Sequence, residues 1–165
     1  MRTSILLYLI FFCISCKTSA PVVSDSYTIY LVRHAEKVGD GTRDPELTDI
    51  GHQRAERLAS LLSDKNIKGI FSTDFIRTRD TAAPLSRLLG IGTQIYDHKN
   101  TAALIDALRS LGGNSVVVGH SNSTPTLANS ILEETYYEQF DEKQYDQIIE
   151  IKVTGAEHEH QIRLF

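Results

Sequence analysis

Residues Tyr27 to Lys37 read Y-T-I-Y-L-V-R-H-A-E-K, and the fold follows from how this stretch is read. From Ile29 to Val32 it is β-branched, aromatic and apolar, which suits a strand buried on both faces at the middle of a sheet. Where the apolar run stops, Arg33 and His34 stand together, so a fixed cation and an imidazole arrive at the carboxyl end of that strand. Ligands of open α/β sheets bind at this end. A guanidinium is always charged and meets phosphate oxygens two at a time, which gives the pair the chemistry of an anion site. The plainer reading is a surface Arg-His pair closing a strand.

Outward from this stretch, the chain of 165 residues favours one domain able to bury a core without disulfide staples. With 41% hydrophobic and 23% charged residues, its composition is that of a soluble globular protein. The net charge is −4 and no Lys/Arg cluster stands out, which argues against nucleic acid as the main partner. An anion site must then be a local convergence of positive groups.

Upstream, residues 1–16 read as an export signal. Arg2 gives a positive start, and Ile5 to Ile14 is an apolar run too short for a stable membrane span. The run ends in Cys13-Ile14-Ser15-Cys16, followed by Lys17. This resembles a bacterial lipoprotein lipobox, with Cys13 where that pattern usually has Leu. The resemblance implies cleavage before Cys16, lipidation of Cys16, and an exported protein anchored to a membrane and facing the periplasm or cell surface. The other reading of C-x-x-C, a redox or metal pair, normally sits beside a folded βαβ unit. With no further cysteine, the mature domain can hold no internal disulfide. Residues 17–26, rich in Ser, Thr and Pro, read as a flexible tether, which leaves 27–165 as the folded domain.

Downstream, Val38 to Pro45 is a loop by its Gly, Asp and Pro content. Thr48 suits an N-cap, with Ala55, Leu58, Ala59 and Leu62 at helical spacing behind it. A strand is expected over 67–71. Ser72 or Thr73 should cap the next helix, Pro84 should break or kink it, and Gly90 should end it. Arg77 and Arg79 are two residues apart on that helix and face different ways, so at most one shares a site with His34. Arg79 is read as a solvated or salt-bridged arginine, with Asp74 and Asp80 close by as partners. A short strand over 94–96 leads to a helix over 101–111, stopped by Gly112-Gly113. Ser115 to Val118 is a buried strand that delivers Gly119-His120-Ser121, and Thr124-Pro125 should open the following helix with Thr124 as cap. Residues 146–153 and 158–165 alternate about Thr154-Gly155 as a hairpin. His158 and His160 could be called a metal pair but read better as alternating positions of an exposed strand. No metal site and no cofactor motif is expected.

The order predicts a three-layer α/β/α fold with a mostly parallel central sheet and a C-terminal hairpin. His34, Arg77 and His120 could then meet at one crevice.

Arg33-His34-Ala35-Glu36, Leu47-Thr48 with Gly51, Ser72 with Arg77, Thr81 and Ala82, and Val117-Val118-Gly119-His120-Ser121 together resemble the histidine phosphatase superfamily, also called phosphoglycerate-mutase-like. The match runs in order over nearly all of the mature chain. It implies that His34 is a nucleophile, that Arg33, Arg77 and His120, with Ser121 beside them, hold the transferred phosphoryl group, and that no metal is required. The chemistry is coherent: a neutral imidazole can attack phosphorus in line, and neighbouring cations disfavour the imidazolium.

The leaving alkoxide needs a proton, which family members usually draw from a carboxylic acid near the site. Asp97 in Ile95-Tyr96-Asp97-His98-Lys99 is the candidate, with Glu36 and Asp74 behind it; Asp97 as a turn residue is the alternative. The third strand reaches the next helix almost directly, so the pocket should be open, as in the short phosphohistidine phosphatases, and mutase action is disfavoured. The expected substrate is a phosphorylated small molecule or envelope component. Two other readings stand beside this one. Gly119-His120-Ser121-Asn122-Ser123 resembles a serine esterase elbow with Ser121 as nucleophile. A lipoprotein that only binds phosphate groups is the other.

Overall fold

The computed structural model describes residues 26–165. Six strands form one sheet in the order β3-β2-β4-β1-β5-β6. The expected mostly parallel, three-layer architecture is what the chain adopts. Strand β1 (Ser26–Arg33) pairs in parallel with β4 (Ser115–Gly119), with Val32 opposite Val118 and Arg33 opposite Gly119. Strand β2 (Gly69–Ser72) lies on the other side of β4, and the short β3 (Thr93–Ile95) flanks β2, both in parallel register. Strands β5 (Gln147–Thr154) and β6 (Glu157–Leu164) close the sheet as an antiparallel hairpin beyond β1.

Every residue of β2 and β4 is buried, which is why these strands read as short unbroken runs without alternation. Helices cover both faces. Helix α1 (Asp49–Leu62) and α2 (Ile76–Leu89) pack Leu58, Leu62 and Leu85 against Tyr30, Val32, Ile70 and Val118. On the opposite face, α3 (Thr101–Leu111) and α4 (Ser123–Leu132) set Leu104, Leu108, Leu127 and Ile131 against Ile29, Leu31, Val117 and Ile151. Alternate residues of β1 thus feed two separate cores, and the strand cannot slip by one position without emptying both.

Three local expectations are corrected. Helix α2 begins at Ile76 with Phe75 in the cap position and no side-chain cap, because the Ser72 and Thr73 hydroxyls are used elsewhere, donating to the Thr73 carbonyl and to Thr78. The Asp44 carboxylate, from the loop before α1, accepts the Ile76 N–H instead, at 2.9 Å. Pro84 does not end α2: it is buried within the helix, which runs on to Gly90, left-handed at φ 67° as the sequence predicted for its end. Helix α4 begins at Ser123 with Asn122 as its cap, and the Thr124 hydroxyl instead donates to the Val32 carbonyl at 3.3 Å, tying the helix start to the end of β1.

Helix α1 follows its sequence. The Thr48 hydroxyl accepts the Gly51 N–H at 3.1 Å. A side chain at Gly51 would begin 2.2 Å from the Glu36 carbonyl oxygen, so only glycine lets α1 lie this close to the loop that follows His34.

Candidate active site

The parallel strands end together. His34 N–H donates to the Gly119 carbonyl at 2.9 Å, carrying the β1–β4 ladder one residue past the end of β1. Thr73, the residue after β2, donates to the Val118 carbonyl at 3.4 Å. His34, Thr73 and His120 are therefore fixed side by side on one edge of the sheet, the edge where the sequence placed the anion site. The cleft there has a volume of about 360 Å³, and His34, Phe75, Arg77, His120, Ser121 and Glu142 line it. Lys37, His98, Asn122 and Gln139 complete its wall. A larger cavity of about 480 Å³ lies at the far end of the α3/α4 face, bounded mainly by apolar side chains such as Ile105, Leu108 and Ile131, and no site residue reaches it.

The His34 ring is buried, with Nδ1 2.8 Å from the carbonyl oxygen of Ala35. A carbonyl can only accept, so Nδ1 carries the proton and Nε2 keeps its lone pair. Burial pushes the ring's pKa down to about 3, with Arg33, Arg77 and His120 adding to the fall against the pull of the Ala35 carbonyl. His120 is pushed down to about 4, again mainly by burial and then by Arg77. The two ring centres are 5.6 Å apart. His120 Nε2 lies 3.1 Å from the Thr73 hydroxyl, and the Phe75 ring packs edge-on against His120 at 5.1 Å. Both imidazoles are neutral at pH 7.

The two arginines are held differently. Arg77 lines the cleft, with Nη1 3.3 Å from Asp44 and its guanidinium 4.5 Å from the centre of the Phe75 ring. Arg33 is buried beneath the cleft. Its Nη1 donates to the carbonyls of Asp141 at 2.9 Å and Gln144 at 3.0 Å, and Tyr145 stacks on it at 4.2 Å. Its Nη2 donates to Glu142 at 2.8 Å. All four partners belong to the segment between α4 and β5, which straps the site from the side. Each arginine also has a buried Nε–H without a hydrogen-bond partner among the described residues. An unpaired buried donor on a cation is costly, and an acceptor oxygen of an anionic ligand would relieve it.

The carboxylates are not where the sequence placed them. Asp97 is exposed and does not line the cleft: its carboxylate accepts the Lys99 N–H at 2.9 Å and its carbonyl accepts from Asn100, the work of a turn residue. Its neighbour His98 faces the cleft instead, 5.8 Å from His120 between ring centres. Glu36 is bound by Arg54 through three hydrogen bonds of 2.7 to 3.0 Å. Asp74, one of the two aspartates the sequence set beside Arg79, pairs with that arginine. The carboxylate at the cleft is Glu142, which sequence reasoning missed. It lies in a stretch, E-Q-F-D-E-K-Q-Y, with neither helical nor strand periodicity, and nothing short of the folded chain marks it.

Ser121 lies at the cleft, but its hydroxyl donates to Glu142 at 2.5 Å rather than to an imidazole, so the serine lacks the base an esterase nucleophile needs. His160 Nδ1 pairs with the Tyr137 hydroxyl at 2.7 Å, and no group of three or more His, Cys, Asp or Glu among the described residues is placed to hold a metal ion. No helix among those residues is long and apolar enough to cross a membrane. Cys16 and residues 1–25 lie outside the described residues.

Fold and site together define an α/β protein whose parallel strands present a neutral histidine beside two arginines, each paired with one carboxylate and each keeping a buried Nε–H without a partner among the described residues. Residues 29–100, which carry Arg33, His34 and Arg77, match the histidine phosphatase superfamily (branch 1). That match spans less than half of the chain. Among curated proteins it is 38% identical over 83 residues to a PE-PGRS family protein of Mycobacterium tuberculosis, a match covering 46% of this chain and 14% of that much longer one. Among solved structures, it superposes on the protein histidine phosphatase SixA in complex with tungstate at a TM-score of 0.65, with 14% identity over 83% of this chain and 96% of that one. A phosphoserine phosphatase of Entamoeba histolytica in complex with phosphoserine gives a TM-score of 0.65 and 18% identity, covering 82% of this chain and 95% of that one. Likeness at such low identity speaks for the fold.

Proposed function

We propose that residues 26–165 form a phosphatase that hydrolyses phosphomonoesters, or phosphohistidine, through a covalent phosphohistidine on His34 and without a metal ion. The observation that carries this reading is His34 itself: buried, neutral, with Nδ1 committed to Ala35 and Nε2 free, beside two arginines with unpartnered buried N–H groups. Nε2 attacks phosphorus in line and the P–O bond to the leaving group breaks; water then cleaves the P–N bond and releases inorganic phosphate. Arg77, Arg33 and His120 stabilise charge on the equatorial oxygens, a task that metal ions perform in many phosphoryl-transfer enzymes. The solved complexes of similarly folded proteins with tungstate and with phosphoserine support a tetrahedral oxyanion as the ligand.

The open cleft and its mixed wall of Lys37, His98, Asn122 and Gln139 suit a small phosphorylated molecule or the phosphorylated end of a larger one. From residues 1–16 we also infer export and anchoring through a lipid on Cys16, which makes exported phosphate esters and envelope components the expected substrates.

The decisive experiment is hydrolysis of p-nitrophenyl phosphate by residues 17–165 in excess chelator, wild type beside His34→Ala. Release by the wild type and a loss of about a thousandfold or more in the variant is expected, since a nucleophile has no substitute. Equal rates in the two proteins would sink the mechanism. Phosphate binding without hydrolysis would make the protein a binding lipoprotein.

A further inference from the structure

Among the carboxylates of the described residues, Glu142 alone lines the cleft that holds His34. Its two oxygens are divided between Ser121 Oγ at 2.5 Å and Arg33 Nη2 at 2.8 Å. Both groups are ones from which a phosphoryl oxygen would draw hydrogen bonds, so the carboxylate sits against donors that the substrate needs. The side chain is 65% exposed and rides on the strap, whereas the Arg33 guanidinium is 2% exposed and fixed by the carbonyls of Asp141 and Gln144. When a phosphoryl group arrives, Glu142 is the partner able to yield.

In-line attack from His34 expels the leaving oxygen on the side of phosphorus away from the ring, towards the open mouth of the cleft. Glu142 lines the same cleft with its side chain largely exposed, on a flexible two-carbon stem. The geometry points to Glu142 as the acid that protonates the leaving group, the role the sequence assigned to Asp97. This inference rests on the phosphatase reading above and names the residue that completes it.

The protonation it requires follows from the displacement. In the free protein Glu142 is held below the ordinary carboxylate range by the Ser121 hydroxyl first and by Arg33 after it. Transfer of those two donors to phosphoryl oxygens removes both influences and sets the carboxylate beside a dianion, and each change favours the protonated form. As the P–O bond breaks, the leaving oxygen takes the Glu142 proton and departs as the alcohol, leaving a carboxylate and phosphorylated His34. In the second half, that carboxylate takes a proton from the attacking water while its oxygen bonds to phosphorus and the P–N bond breaks. Neutral His34 and protonated Glu142 are restored while inorganic phosphate is still bound; as it leaves, Ser121 and Arg33 return to Glu142, which releases to water the proton it took up from water on substrate binding.

An acid matters only where the leaving group is poor, so its signature is a ratio. With Glu142→Gln, kcat/KM for a simple alkyl phosphate should fall about a hundredfold or more relative to kcat/KM for p-nitrophenyl phosphate, the usual span of general-acid catalysis. Glu142→Asp, which keeps the carboxyl group, should recover part of the ratio. An unchanged ratio in Glu142→Gln overturns the assignment, whether both rates fall together, as for a merely structural residue, or rise together, as for a carboxylate that only competes with substrate. Circular dichroism of each variant checks the fold, which an exposed substitution should leave intact. Wild type inactive on both substrates would instead overturn the phosphatase reading, and this assignment with it.

Discussion

His34 is neutral because of where the chain ends its first strand. One residue beyond β1 the backbone is still paired to Gly119, so the ring is drawn under the edge of the sheet, away from water, and its Nδ1–H meets the carbonyl of Ala35. The folded ring titrates at about 3 and the His120 ring at about 4, whereas both sit near 6.5 in an unfolded chain. The unfolded state therefore binds more protons through this interval, and stability falls as pH drops from about 6.5 towards 3, with no further loss from these rings below it. Proton NMR should show the carbon-bound ring protons of both histidines unmoved between pH 8 and pH 5 in the ligand-free protein. A folded-state midpoint near 6.5 for His34 would contradict the burial on which its proposed role as nucleophile rests.

At the scale of elements, the arginine on α2 and the histidine after β1 are joined by one side chain. Thr81 Oγ1 donates to the Arg77 carbonyl at 2.7 Å and accepts the Ala35 N–H at 2.9 Å, with the residue buried. Thr81→Val keeps the shape and strands the Ala35 N–H, so a loss of about 1–3 kcal/mol in urea unfolding is expected, along with a higher KM as His34 and Arg77 lose register. An unchanged midpoint and KM would show that the two elements are aligned by packing alone. The sequence carried Thr81 only as part of a family resemblance; its role became visible once two segments 46 residues apart were brought together. The same distinction runs through the whole chain. Strands β1 and β4 and helices α1 and α3 were legible because hydrophobic period and capping are local properties. The starts of α2 and α4 were not, because the Ser72 hydroxyl turns to the Thr73 carbonyl, that of Thr73 bonds Thr78 beside His120, and that of Thr124 reaches Val32, while Asp44 and Asn122 serve the helix ends. His34, Arg77, His120 and Ser121 were legible as residues at strand ends and helix starts. Arg33 proved to lie beneath the cleft, Asp97 to be a turn residue, and Glu142 and Tyr145 to belong to a strap whose sequence has no period to read.

For the whole molecule, the sheet gives the protein two ends. Ser26, where the described chain begins, opens β1; Arg33, where the strand closes, meets the cleft. They are the two ends of an eight-residue strand, about 23 Å apart at the usual rise per residue. If a lipid on Cys16 holds the protein, as proposed, Cys16→Ser should move it from the membrane fraction to the soluble one while leaving turnover per molecule unaltered, because Ser26, through which the tether joins the described residues, lies at the end of β1 opposite the cleft. Membrane retention of the variant would remove the lipid from the account. An anchor of that kind would join the fold at the tail of its central strand, a strand's length from the cleft, and so would leave the mouth of the cleft open to phosphorylated molecules arriving from the surrounding medium.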